Sequence, residues 1–367
     1  MIYLDYGATS FHKPPAVYRA AERAMRTCAN PGRGGYPAAM AAAETVFDCR
    51  AAAAELFSCE PAQVVLTTSC THGLNIAIRS LVKPGDKVVV TGFEHNAVTR
   101  PLHALGAELC VAGRKLFDWD DTLMEFEQAL KGADAAVFTH VSNVFGYILP
   151  VGEMAAMCRQ KGVPFIVDAA QSAGTLPVDF SALGADFIAM PGHKGLLGLP
   201  GTGLLLCGQA GEPLLYGGTG TQSMLQEMPE ALPERMEAGT LNVPGIAALT
   251  AGLKYLKRVG TDTLFRQEQQ VLRHCVRGLI QQSFRVFAGA HQAATVSFLT
   301  GEDCEEAAEI LAKQGIALRA GLHCAPLAHE SAGTLETGTI RVSLGFDTTN
   351  GQIDAFLRAS AKLTPIR

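Results

Sequence analysis

Lys194 lies in the run Pro191-Gly192-His193-Lys194-Gly195, directly after the apolar segment Phe187-Ile188-Ala189-Met190 and before a glycine-rich stretch that reaches Gly203. A lysine where a buried strand must turn tightly is poorly placed for a solvated surface charge. Upstream, the apolar run Phe165-Ile166-Val167 ends in Asp168. A lysine amine can bond an aldehyde, and a carboxylate at the neighbouring strand end can keep a pyridine nitrogen protonated. Together these are the groups that a pyridoxal phosphate site requires. Taken singly, the lysine reads more readily as a non-covalent phosphate or carboxylate partner and the aspartate as a helix N-cap; the two together, beside the glycine-rich stretch, reverse that preference.

Other residues extend this chemistry. Ser69-Cys70-Thr71-His72-Gly73 joins an expected strand to an expected helix. Hydroxyls and free N–H groups at a helix start bind phosphate, which makes Thr71 and His72 phosphate candidates, with plain capping as the alternative. Gln171, three residues after Asp168, is placed to reach a phenolic oxygen, and His95 to stack on an aromatic ring. A second centre is Arg319-Ala320-Gly321-Leu322-His323-Cys324. Cys324 is flanked by Arg319 and His323, and nearby cations favour the reactive thiolate. Arg341 can fork onto a substrate carboxylate or form a structural salt bridge.

Positioning these groups requires strand ends. Apolar runs at 64–67, 87–91, 108–112, 135–139, 163–167, 187–190 and 203–207 alternate with helical segments at 72–82, 97–105, 121–130 and 152–161. This predicts an α/β fold with a mostly parallel, seven-stranded sheet covered on both faces. Ligands in such sheets sit at the strand carboxyl ends, where Asp168, Lys194, His95 and Asn143 fall. Two helices precede the sheet, one opened by Pro14-Pro15 and one at 38–57. Helices at 244–258, 261–282 and 350–361, with strands at 294–299 and 316–319, predict a smaller α+β domain. The expected division is a large domain over 12–250 and a small one over 1–11 and 251–367.

The 367 residues, 48% of them hydrophobic, suffice for two such domains. A net charge of −5 offers no basic footprint for nucleic acid, and no apolar run is long enough to span a membrane. The ten cysteines are scattered without a CxxC pair, which argues against a metal site and for reduced thiols in the cytoplasm.

Read together, these segments resemble the class V aminotransferase superfamily, and within it the cysteine desulfurases and selenocysteine lyases of the second group. The similarity runs nearly end to end. It includes Tyr3-Leu4-Asp5-Tyr6-Gly7-Ala8-Thr9, Asn30-Pro31-Gly32-Arg33-Gly34, Glu94-His95, His140-Val141-Ser142-Asn143, Asp168-Ala169-Ala170-Gln171-Ser172, Gly192-His193-Lys194, Glu237-Ala238-Gly239-Thr240 and the Arg319–Cys324 loop. The resemblance implies a fold type I enzyme that uses pyridoxal 5′-phosphate (PLP). Lys194 is then the cofactor-bonding acid/base, Asp168 and Gln171 tune the ring, and His95 stacks on it. Thr71, His72 and His193 hold the phosphate, while Asn143 and Arg341 orient the substrate carboxylate. Cys324 takes sulfur from L-cysteine as a persulfide and alanine leaves. A homodimer is implied, with Thr240 and Arg33 reaching the partner's site, and so is a sulfur-acceptor protein. Four positions depart from the pattern: Tyr6-Gly7 for Asn-Ala, Pro191 for serine, and His72 for an acidic residue. The competing readings are a selenocysteine lyase acting on L-selenocysteine, another lyase or aminotransferase of the superfamily, and a degenerate, non-enzymatic sulfur-relay scaffold.

Overall fold

A computed structural model of the chain describes every residue except Arg33 and Arg367. Strand β1 (Ile2–Tyr3) is followed by helices α1 (Pro15–Thr27) and α2 (Pro37–Phe57), each with proline in its first turn, where a missing N–H costs nothing. The main sheet then builds from β2 (Val64–Thr67), β3 (Lys87–Thr91), β4 (Glu108–Ala112), β5 (Ala135–Thr139), β6 (Phe165–Asp168), β7 (Phe187–Pro191) and β8 (Gly203–Cys207). Its order is β2-β8-β7-β6-β5-β3-β4, with β8 antiparallel to both its neighbours and every other pairing parallel. Helices α3 (Cys70–Leu81), α4 (Asn96–Leu105), α5 (Trp119–Ala129), α6 (Val151–Lys161) and the short α7 (Phe180–Leu183) form the crossovers. Strands buried on both faces explain the continuous Val/Ile/Phe/Ala runs, since one side packs on Leu74 and Ile78 and the other on Phe126 and Met154. The seven strands fall where the sequence placed them, within two residues.

Past β8, helix α8 (Val243–Val259) packs on α1 and α2, and α9 (Thr261–Gln281) leads to the C-terminal part. Here β9 (Arg285–Phe287), β10 (Thr295–Leu299), α10 (Cys304–Lys313), β11 (Ile316–Ala317), β12 (Arg319–Gly321), α11 (Pro326–Ala332), β13 (Thr339–Ser343) and α12 (Asn350–Ser360) follow. They make an antiparallel sheet, β12-β13-β10-β9, with its own core of Val296, Phe298, Ile340, Val342 and Phe356. Leu4 joins that core because β1 pairs with β11 in parallel. Strands β1, β9, β12 and β13 and helices α7, α10 and α11 are absent from the expectation, which placed a single strand at 316–319. Among the described residues, no helix is long and apolar enough to cross a membrane.

Glu268 of α9 is buried where the two cores meet, and no hydrogen bond reaches its carboxyl among the described residues. It lines a cavity with Lys194, Tyr6 and Gln171. Burial pushes this carboxyl up from 4.5 to about 8. A raised folded-state pKa means that the stability it contributes is complete below about pH 4.5 and is lost as pH rises through about 8. Glu268→Gln is therefore expected to flatten the fall of Tm between pH 5 and 8. At pH 8 the variant should be the more stable protein, by on the order of 1 kcal/mol. Thermal unfolding of both proteins across that range checks it, and parallel curves would contradict it.

Candidate active site

The carboxyl ends of β5, β6 and β7 and the N-termini of α3 and α4 converge on one cavity. Among its lining residues are Ser69, Thr71, His95, Asn143, Asp168, Gln171, His193 and Lys194. Asp168 closes β6 opposite Ala189 of β7, and Lys194 follows β7 by three residues, so neighbouring strands deliver both groups to one rim. Lys194 is half-buried. Desolvation lowers its pKa more than the neighbouring Asp168 carboxylate raises it, which favours the neutral, nucleophilic amine.

Asp168 is held from one side. Its Oδ1 accepts from the Ala170 N–H at 2.9 Å and from the Cys70 thiol at 3.5 Å, while no hydrogen bond to Oδ2 is found among the described residues. Helix α3 opens with the Ser69 hydroxyl accepting from the His72 N–H at 3.1 Å. The first N–H groups of α3 have no intrahelical acceptor and face a site lined by Ser69, Cys70 and Thr71, which is the arrangement that takes a phosphate. His95 caps α4, its Nδ1 accepting from the Ala97 N–H at 2.9 Å. Burial lowers its pKa, so the ring is neutral with its proton on Nε2. His193 is likewise pushed down, to about 4, and its Nδ1 lies 3.1 Å from the Thr9 hydroxyl. A lysine amine, an open carboxylate oxygen, a helix N-terminus and a neutral imidazole around one cavity fit PLP.

Two cofactor expectations are modified. The His72 ring turns to Thr68, with Nδ1 at 3.3 Å from both its N–H and its hydroxyl, and does not line the cavity. Position 72 contributes its backbone to the helix cap instead. Gln171 does line the cavity, but one of its amide N–H groups donates to the Gly7 carbonyl at 2.9 Å.

Behind the cavity, Asp5 bridges two guanidinium groups. Its Oδ1 accepts from Arg341 Nη2 at 2.8 Å, and its Oδ2 accepts from Arg319 Nη2 and Nε at 2.9 and 3.1 Å. Arg341 also donates through Nη1 to the Asn143 carbonyl at 3.0 Å, and its buried Nε has no partner among the described residues. Arg341 thus does form the structural salt bridge. Yet one carboxylate between two guanidiniums leaves a net positive charge, and that charge together with the free Nε suits a substrate carboxylate. Gly7 permits the packing, because a Cβ there would sit 3.3 Å from the Arg341 Cζ. Asp5→Ala removes the anion from this group and is expected to lower stability by about 3 kcal/mol in denaturant titration, since it strands the buried Arg341 charge. A loss within experimental error would contradict the clamp.

The Cys324 loop meets the cavity. Leu322 to Ala325 form a turn closed by the Ala325 N–H on the Leu322 carbonyl at 2.9 Å, with φ of 49° at His323 and 57° at Cys324. Positive φ at two successive non-glycine residues is strained and is tolerated where surrounding structure holds it. Two ties hold it here. Asn143 Nδ2 donates to the His323 carbonyl at 2.8 Å, and the Asn96 N–H, next to His95, donates to the Cys324 carbonyl at 2.7 Å. Cys324 is the one exposed cysteine of the ten.

The pair of flanking cations is corrected. Burial drives His323 down to about 2, so it is neutral, and its Nε2–H donates to the Thr339 carbonyl at 3.1 Å. Arg319 is engaged by Asp5. Adjacency along the chain placed two cations beside the thiol; burial neutralises His323, while Arg319 stays exposed and charged but paired with Asp5.

Thr240 lies elsewhere, on an open groove with Asn30–Gly32, Tyr36, Phe47 and Gly218–Thr221. The neighbouring Glu237 takes a bidentate pair from Arg50 at 2.8 and 2.6 Å, which fixes the groove to α2. Arg33 lies outside the described residues. Sequence reasoning assigned no role to Asp5, Ser69 or Cys70, although all three stand inside motifs that it quoted.

Comparison with known proteins agrees with this geometry. The model of the aminotransferase class-V family matches residues 2–356. A probable cysteine desulfurase of Pyrococcus abyssi is 31% identical over 377 residues, covering 97% of this chain and 92% of that protein. One from Xylella fastidiosa is 32% identical, covering 99% and 91%. Among solved structures, the apo cysteine desulfurase of Thermococcus onnurineus superimposes with a TM-score of 0.89 at 30% identity, covering 97% of this chain and 93% of that one. The cysteine desulfurase CsdA of Escherichia coli gives 0.85 at 26% identity, covering 98% and 93%. On the family match, the identities and the shared fold, this chain belongs to the class V aminotransferases.

Proposed function

We propose that this protein is a PLP-dependent cysteine desulfurase that converts L-cysteine to L-alanine and takes the sulfur onto Cys324. The observation that carries the reading is the tie between the two centres: the exposed Cys324 is bonded through its carbonyl to Asn96, beside His95, at the rim of the cavity that holds Lys194 and Asp168. The desulfurase relatives, all near 30% identity, support the same reaction.

When bound, PLP supplies an electron sink for the bonds at the substrate's α-carbon. Asp168 Oδ2 is the open oxygen that would take the ring nitrogen, the start of α3 would receive the phosphate, and His95 would stack on the ring. Lys194, held toward its neutral form, takes the α-proton and returns a proton to the product. Arg341 and Asn143 orient the carboxylate. The Cys324 thiol attacks the substrate sulfur: the substrate C–S bond breaks, the S–S bond of a persulfide forms, and the thiol proton balances the hydrogen gained by alanine. Exposure of Cys324 leaves the persulfide open to a small thiol or an acceptor protein.

Selenocysteine is the second substrate to test, because its C–Se bond breaks more readily and tolerates loss of the thiol. Turnover of cysteine, selenocysteine and cysteine sulfinate, followed by alanine formation, separates the readings. Cysteine as a productive substrate is expected, whereas keto-acid-dependent transamination with no alanine from cysteine would overturn the proposal.

Two structural readings accompany this function. The separate C-terminal core supports a small domain built from the N-terminal strand and the C-terminal part, and the uninterrupted α8, with Leu249, Leu253 and Leu256 in the large core, supports a division at Gly260 rather than at 250. The groove at Thr240, with Tyr36 and Phe47 exposed in it and Tyr216 and Met224 exposed nearby in sequence, supports a homodimer in which this face meets the partner. Light scattering at micromolar concentration should return twice the chain mass. A cytoplasmic location suits the reduced thiols.

A further inference from the structure

Cys70 stands inside the cavity, and the reaction as derived gives it no role. It is the first residue of α3, 8% exposed, and its thiol lies 3.5 Å from Oδ1 of Asp168. A thiol at a helix N-terminus usually becomes more acidic. Here burial and the adjacent carboxylate act the other way, outweighing the opposing pull of Lys194, so the group stays S–H and can only donate toward Asp168.

The consequence is geometric. Oδ1 of Asp168 receives two donors, the Cys70 S–H from α3 and the Ala170 N–H from the chain just past β6. These come from separate elements and fix the plane of the carboxylate. Oδ2 is left as the one outlet toward the cavity. An aspartate free to rotate about χ2 would present either oxygen at varying angles, and a cofactor ring held by one charge-assisted hydrogen bond depends on that angle.

We propose that Cys70 is a positioning residue for Asp168: its thiol hydrogen bond locks the carboxylate so that Oδ2 faces the pyridinium nitrogen of bound PLP. This rests on the PLP reading above. A second effect follows from the same contact. A protonated, donating thiol is a poor nucleophile, so Cys70 does not compete with Cys324 for sulfur although both stand near the reaction centre.

The test uses purified, PLP-loaded enzyme and two readouts that do not depend on turnover: the rate of PLP release after dilution and the position of the visible absorption band. Cys70→Ala and Cys70→Val remove the donor, Val filling more of the space if the Ala variant folds poorly. Cys70→Ser keeps a donor. Loss of a hydrogen bond to a charged group is expected to speed PLP release about tenfold in the Ala and Val variants and to shift their band, with Ser close to wild type on both. Release rates within twofold of wild type for Ala and Val would overturn the proposal. So would a Ser variant that behaves like Val, which would make packing rather than donation the cause. Wild type that takes up no PLP would overturn the parent reading and this one with it.

Discussion

Lys194→Ala is expected to lower alanine formation from L-cysteine by about 10³-fold or more and to abolish the visible absorption of the PLP-loaded protein. The size follows from two functions residing in one amine. A positioned general acid/base contributes on the order of 10²–10⁴-fold, and the covalent hold on the cofactor adds to it. Both need an uncharged amine within the cavity. Burial supplies it, lowering the pKa of Lys194 against the opposing pull of Asp168. Lys194→Arg should be equally inactive, because a guanidinium stays protonated at any accessible pH and cannot take the α-proton. Either variant should keep the unfolding temperature of the wild type within a few degrees, since Lys194 makes no salt bridge among the described residues. Steady-state alanine assays and an absorption spectrum decide it. A coloured Lys194→Ala protein retaining a tenth of wild-type turnover would contradict the assignment.

Cys324→Ala is expected to lose about 10²-fold or more of its turnover with cysteine while keeping its colour. Its turnover with selenocysteine should fall much less. The thiol lies outside the cofactor cavity lining and makes no side-chain hydrogen bond among the described residues, so its removal touches neither Lys194 nor Asp168. What is lost is the nucleophile that receives sulfur. Selenium leaves more readily and depends less on that nucleophile. Cys324→Gly should relax the strained turn as well, because the φ of 57° costs glycine nothing. It should therefore match Ala in activity and equal or exceed it in stability. Equal losses on both substrates for Cys324→Ala would place the cysteine in general support of the fold. No loss on cysteine would remove the persulfide from the mechanism.

The division between what could be read along the chain and what could not follows physical lines. The seven strands were legible because each is a short apolar run buried on both faces, and strand ends in such a sheet lie on one rim. That placed Asp168, Lys194, His95 and Asn143 together. Arg341 was legible as a guanidinium with two uses, but its partner Asp5 is 336 residues away in sequence and meets it only because β1 docks against the C-terminal part. His323 was misjudged because its protonation depends on depth, and the histidine beside an exposed cysteine is itself 9% exposed. His72 was misplaced by a fraction of a helical turn: it follows Thr71 in sequence, yet its ring points back to Thr68 rather than into the cavity. Cys70 could not be told from the other buried cysteines until its thiol was seen against Asp168. Helices α10 and α11 and strand β9 are short or rich in alanine and charge, so their periodicity is weak and tertiary packing decides them.

The central claim is that sulfur passes from the substrate held over Lys194 to the thiol of Cys324. Mass spectrometry of the PLP-loaded protein, quenched by alkylation after brief exposure to L-cysteine with no reductant or acceptor thiol, tests it directly. One extra sulfur on the peptide carrying Cys324, none on peptides carrying the other nine cysteines, and alanine released in equal amount is the result predicted. Alanine released with Cys324 unmodified, or the added sulfur found on another cysteine, would contradict it.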